Sequence, residues 1–155
     1  MTQDEKQILM IDLCGRLSYG VKCIDITPLE QFQDKNLWYI DRIRADVMEL
    51  GVSNCYVCYG NYINIHNIKP YLFPLSSMTA EQFNELKSYV NLKWEHNTLE
   101  LVEWDNNYKT LEFWLEEIPS YNVIKVFDWL NKNHFDYRGL IEKGLAIDAT
   151  NKNIY

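Results

Sequence analysis

The sequence predicts an α+β chain: an N-terminal helix, a small antiparallel SH3-like barrel or curled sheet, then a helix, a β-hairpin and C-terminal helices. Three observations carry this. Thr2 with Glu5, and Thr79 with Gln82, form capping boxes that each open a stretch with apolar residues at helical spacing. Several short segments between and after them alternate, or are rich in β-branched and aromatic residues. Prolines and turn-forming pairs separate those segments.

In chain order, the first box predicts a helix over about 3–16, with Ile8, Leu9, Leu13 and Leu17 near one face, Ile11 partly so, and Gly15 weakening its end. The tripeptide 18–20 reads as a turn, and "VKCIDI" (21–26) as a strand ended by Pro28. Residues 36–50 fit two periods. Leu37, Ile40, Ile43, Val47 and Leu50 recur at helical spacing with Gly51 as a C-cap, yet the stretch is bulky and β-branched enough for a long strand. The strand reading is preferred. "NCYVCYG" and "YINIH" then read as two strands of a hairpin turning at Gly60-Asn61. Pro70 and Pro74 bracket a stiff connection that lacks two backbone donors.

The second box predicts a helix with Phe83, Leu86, Tyr89 and Val90 facing inward. "LELVEW" and "TLEFWLEEI", joined by "DNNY", predict a second β pair over 93–118. Ser120 and Asn122 are cap candidates for a helix whose stripe is Val123, Phe127 and Leu130. A further short segment begins near Asp136. The length suits one domain over 1–155, with possible halves at 1–78 and 79–155. A compact fold of this size hides roughly 70% of its unfolded surface, so it needs neither disulfide nor metal to be stable.

Charge narrows the function classes. The net charge is −7; residues 1–78 hold nine acids and seven bases, residues 79–155 thirteen and eight. Within 95–117 seven acids face Lys109 alone. Ordinary nucleic-acid binding rests on Lys and Arg neutralising phosphates, so it is not expected. No run of about 18 apolar residues predicts a membrane span. The N-terminal order, acidic and polar before apolar, is not that of a secretory signal. With four cysteines at 14, 23, 55 and 58, it predicts a cytoplasmic protein with reduced thiols.

The most specific chemical motif is Cys55-x-x-Cys58, with His66 beyond it. Structural zinc takes four tetrahedral ligands, commonly two from a tight knuckle. Here Tyr56 and Val57 lie between the thiols and favour extended chain, in which positions three apart point to opposite faces. Cys55 and Cys58 therefore read as scaffold, with a zinc module using Cys55, Cys58 and His66 as an alternative. Neither His66, His96 nor His134 is flanked by a catalytic signature, and His134 reads as an imidazolium pairing with helix-terminal carbonyls. The six glycines form no phosphate-binding loop. No catalytic residue and no cofactor is expected.

What remains is aromatic and acidic together. Trp94, Trp104 and Trp114 lie in or beside the second β pair, where Glu112 and Glu116 share a strand face. An aromatic anchor in a charged rim is the pattern of a protein-binding patch, here Trp104, Glu112, Trp114 and Glu116. The expected function is a non-enzymatic module that binds a protein partner. The alternative is an acidic decoy or inhibitor that mimics nucleic acid.

Three stretches, "DLCGRLSYGVKC", "IKPYLFPLSSMT" and "WLNKNHFDYRGLIEKGLAIDA", give the chain a family resemblance. It resembles uncharacterised small proteins carried by phages and mobile elements of gut bacteria. The resemblance implies a phage or bacterial cytoplasmic origin and strands rather than helix at 36–47. It leaves 93–118 as extra material and transfers no catalytic residue.

Overall fold

The computed structural model describes residues 1–26, 37–44, 49–54, 57–90 and 120–155. They form three helices, α1 (Gln3–Arg16), α2 (Ala80–Val90) and α3 (Ser120–Lys132), around one open mixed sheet. The strands are β1 (Lys22–Asp25), β2 (Leu37–Arg44), β3 (Glu49–Asn54), β4 (Val57–Asn64), β5 (Ile68–Pro74), β6 (Phe135–Asp136) and β7 (Ile147–Asp148). Their order is β4-β3-β2-β1-β5-β6, with β7 also on β5. The α+β class and the N-terminal helix match expectation, but the sheet does not close into an SH3-like barrel. Closure would pair the two outermost strands, and among the described residues β4 and β6 stand at opposite ends.

Both capping boxes form. The Thr2 N–H donates to Glu5 Oε2 at 2.6 Å, and the Glu5 N–H to Thr2 Oγ1 at 3.2 Å. The Thr79 N–H donates to Gln82 Oε1 at 2.9 Å, and the Gln82 N–H to Thr79 Oγ1 at 3.2 Å. Each box satisfies two donors that a helix start would otherwise leave open. Helix α1 buries Leu9, Asp12, Leu13 and Arg16, one stripe at i, i+3, i+4 and i+7. It then tightens into a 3₁₀ turn (Leu17–Tyr19) and ends at Gly20, whose φ of 64° is left-handed.

Residues 37–44 are strand, because β2 pairs antiparallel on both sides, Lys22 opposite Tyr39 and Ile40 opposite Val52. Pairing on two edges satisfies the backbone that a helix would satisfy internally, so tertiary context decides an ambiguous period.

Two sequence expectations fail in the next segment. Gly60-Asn61 is not a hairpin turn; both residues lie inside β4. At the start of β4, Asn54 of β3 sits opposite Val57. The register shifts between Val52 and Asn54, which places Gly60 within an irregular ladder, where glycine marks a bulge rather than a turn. The proline-bracketed connection is strand β5, with Ile68, Pro70 and Leu72 buried on one face. The absent N–H groups are accommodated because β5 changes partner along its length. Ile68–Pro70 pair antiparallel with β1, Tyr71–Leu72 pair parallel with β7, and Phe73–Pro74 pair parallel with β6.

The core has two parts. Leu9, Leu13, Val21, Cys23, Ile40, Ile65 and Ile68 pack with Leu140, Leu145 and Ala146 on one side. Phe83, Leu86, Val90, Val126, Trp129, Leu130 and Phe135 pack α2 against α3 on the other. Tyr89 does not join them; it is 42% exposed. Asn122 lies within α3 and is buried, so it is not a cap. After α3 the chain forms turns and two short strands rather than a further helix. The Asp136 carboxylate takes the N–H groups of Arg138 (3.2 Å), Leu140 (2.9 Å) and Ile141 (2.7 Å), which curls 138–141 about it. Among the described residues no helix is long and apolar enough to cross a membrane.

Candidate functional site

Three polar constellations stand out among the described residues. The first is buried. Arg16 donates through Nε to Asp12 Oδ2 at 2.7 Å and through Nη2 to Asp12 Oδ1 at 3.0 Å and to the Phe135 carbonyl at 2.7 Å. Both side chains are fully buried. Arg138 Nε approaches Asp12 Oδ1 at 3.4 Å, and the Arg16 and Arg138 guanidinium carbons lie 5.5 and 4.9 Å from the centroid of the Tyr137 ring. Tyr137 donates to Asn131 Oδ1 at 3.1 Å. Asn131 in turn is what a Cβ on Gly15 would strike, at 3.0 Å. This knot ties α1, α3 and the 135–138 turn together. Its Asp12–Arg16 pair is fully buried and serves packing, while Tyr137 and Arg138 at its outer edge line a separate cleft of about 480 Å³. Aspartate and arginine on the Leu9/Leu13 stripe of α1 were the signal that could have revealed it.

The second constellation joins helices at the surface. Asp128 of α3 accepts hydrogen bonds from the Tyr19 hydroxyl and, at 2.7 Å, from the Tyr89 hydroxyl of α2. Those two bonds hold the Asp128 carboxyl below the usual carboxylate range, and the same carboxylate raises both phenols. One turn before Asp128 on that helix face is Ile124, an apolar side chain left 73% exposed. Thus the end of α2 and the start of α3, where residues 91–119 leave and return, are sealed by a shared core and carry exposed Tyr89 and Ile124.

The third is a cleft of about 500 Å³ beside His134. His134 follows α3 with φ 58°, the left-handed conformation of a helix C′ position, and its N–H bonds the Asn131 carbonyl at 3.1 Å. Its ring is buried and stacks on Tyr155 at 4.1 Å between centroids and 13° between planes. Burial, with Arg16 and Lys22 nearby, pushes the imidazole down to about 4. It is neutral near pH 7, which corrects the imidazolium-cap expectation: the backbone of His134 terminates the helix and its ring does not.

Of the sequence-expected patch, Trp104, Glu112, Trp114 and Glu116 all fall outside the described residues, as does Cys55. Cys58 lies in β4, and His66 sits exposed in the 3₁₀ turn Ile65–Asn67. Among the described residues no three His, Cys, Asp or Glu side chains gather as a metal site would require. Cys14 is exposed and Cys23 is buried. Compared with known proteins, the chain matches no family model, no curated protein and no solved structure.

Proposed function

We propose that the chain is a non-enzymatic interaction module that engages a protein partner through its acidic and aromatic segment at 93–118, centred on Trp104, Glu112, Trp114 and Glu116. The observation that carries this reading is the pair of exposed apolar groups at the roots of that segment. Ile124 at 73% exposure and Tyr89 at 42% flank a helix pair whose opposite faces form a closed core. Large exposed apolar side chains beside a charged, tryptophan-rich stretch match the anchor-and-rim composition of binding patches.

The test is capture of a partner with the intact chain, then with the triple variant Glu112→Lys, Glu116→Lys, Trp114→Ala and, separately, Ile124→Ser. Circular dichroism confirms that each variant folds. Both should lose most of the captured protein; retention by both overturns the proposal. The local charge of 95–117, seven acids against one lysine, favours one second reading, an acidic mimic of nucleic acid. That reading requires a basic partner released between about 0.05 and 0.5 M salt, as screening shortens the reach of surface charge. Aromatic-anchored binding persists through the same range.

A further inference from the structure

The cleft beside His134 is lined mainly by hydroxyl, amide and aromatic side chains. In a chain of net charge −7, none of its described lining side chains is a carboxylate. Its one ammonium is that of Lys132. The other polar groups are hydroxyls and amides: Ser77, Thr79 and Gln82 from the start of α2, and Asn133, Thr150 and Asn151 from the turns opposite. Aromatic faces complete it, with the Tyr155 and Phe73 rings 5.8 Å apart.

Two lining residues hold polar atoms that the protein leaves unmatched. His134 Nδ1 and Thr150 Oγ1 are buried and have no hydrogen-bond partner, although His134 is only 8% exposed as a residue. Buried polar atoms are ordinarily paired, so two orphans on one small cleft point to a partner outside the chain. Among the described residues the non-glycine positions with left-handed φ are His134 at 58° and Asn151 at 61°, and both line this cleft.

We propose that this cleft binds a small uncharged molecule bearing hydroxyl and amide groups, of the N-acylated amino-sugar class. The chemistry matches group by group. Each sugar hydroxyl donates once and accepts twice, which suits amide and hydroxyl side chains that do both. The neutral imidazole adds a partner without charge, and the Phe73 and Tyr155 rings add apolar lining. A volume of about 500 Å³ lies within the range of small-molecule sites. Because the Tyr155 ring stacks on the imidazole, ligand contact with Nδ1 is accompanied by movement of that ring.

The experiment titrates the intact protein with N-acetylglucosamine, and in parallel with inorganic phosphate, following backbone amide and His134 ring signals by NMR. The expected result is a saturable shift with the sugar confined to 73–82, 132–135 and 150–155, and none with phosphate. Thr150→Val keeps the shape and removes the orphan hydroxyl. It should weaken the sugar by about fivefold, the worth of one hydrogen bond, while leaving the melting temperature unchanged or higher. His134→Asn, which tolerates the left-handed backbone, should weaken it as well. The proposal is overturned if the sugar gives no saturable shift, if phosphate binds there instead, or if Thr150→Val binds as well as the unaltered chain. A fall in melting temperature for Thr150→Val would also overturn it, by showing that the hydroxyl is satisfied internally through buried water.

Discussion

Replacing Asp12 with alanine strips the counter-charge from a guanidinium that has no access to water. Arg16 is fully buried, its Nη1 already lacks a partner, and the substitution removes its bonds at 2.7 and 3.0 Å. Only the Nη2 bond to the Phe135 carbonyl remains. Arg138 offers no rescue, being a second cation. Breaking one side of a buried pair costs about 3–5 kcal/mol. Against a total stability of about 5–15 kcal/mol, that is a large fraction. At about 2–4 °C per kcal/mol for a chain of this size, the melting temperature should fall by roughly 6–20 °C. Urea unfolding followed by tryptophan fluorescence measures it, because Trp129 is 1% exposed in the core. The decisive comparison is Asp12→Leu with Arg16→Met, which removes both charges at similar volume and should recover most of the loss. Two results refute the reasoning: an Asp12→Ala cost below about 1 kcal/mol, or a double variant as unstable as Asp12→Ala.

Two further outcomes follow from geometry already given. His134 is pushed down to about 4 in the folded chain, against about 6.5 when unfolded, so the unfolded state binds the proton first. Its contribution is complete above pH 6.5 and is lost as pH falls toward 4, by roughly 3 kcal/mol; His134→Asn should remove that part of the pH dependence in unfolding titrations. Gly15→Ala gains about 1 kcal/mol of helix propensity, but its Cβ meets Asn131 at 3.0 Å, and Asn131 is itself held by Tyr137. The expected net is destabilisation by about 1 kcal/mol, read from denaturant midpoints; a rise in stability would show that Asn131 yields freely.

Local chemistry was legible in the sequence and long-range geometry was not. Thr2/Glu5 and Thr79/Gln82 are read within four residues, and both form as expected. Residues 37–44 needed neighbours on two edges to become strand, information that no periodicity within them holds. Gly60-Asn61 and the prolines at 70 and 74 misled because the same residues serve turns, bulges and strands, according to what lies beside them. His134 shows the limit most plainly. Its place at a helix end was readable, but its protonation state follows from burial in the folded chain and from the positive charges of Arg16 and Lys22, both far away in sequence. The His134 cleft was missed for the same reason, since Thr79, His134 and Thr150 meet only in the folded chain.

The change of partner along β5 also sets an order of events. Its first half pairs with β1, more than forty residues earlier, and its second half with Phe135–Asp136 and Ile147–Asp148, sixty and more residues later. As a chain emerges from the ribosome, Ile68–Pro70 find their neighbour at once, while Tyr71–Pro74 wait with unpaired backbone until the far segment is made. A waiting strand edge is a template for any other extended chain, and pairings so distant in sequence form slowly. Pro74 lies in that waiting half and carries no N–H to offer. The proline that looked like a loop signal therefore blunts the edge of the sheet during the interval before its proper neighbour arrives.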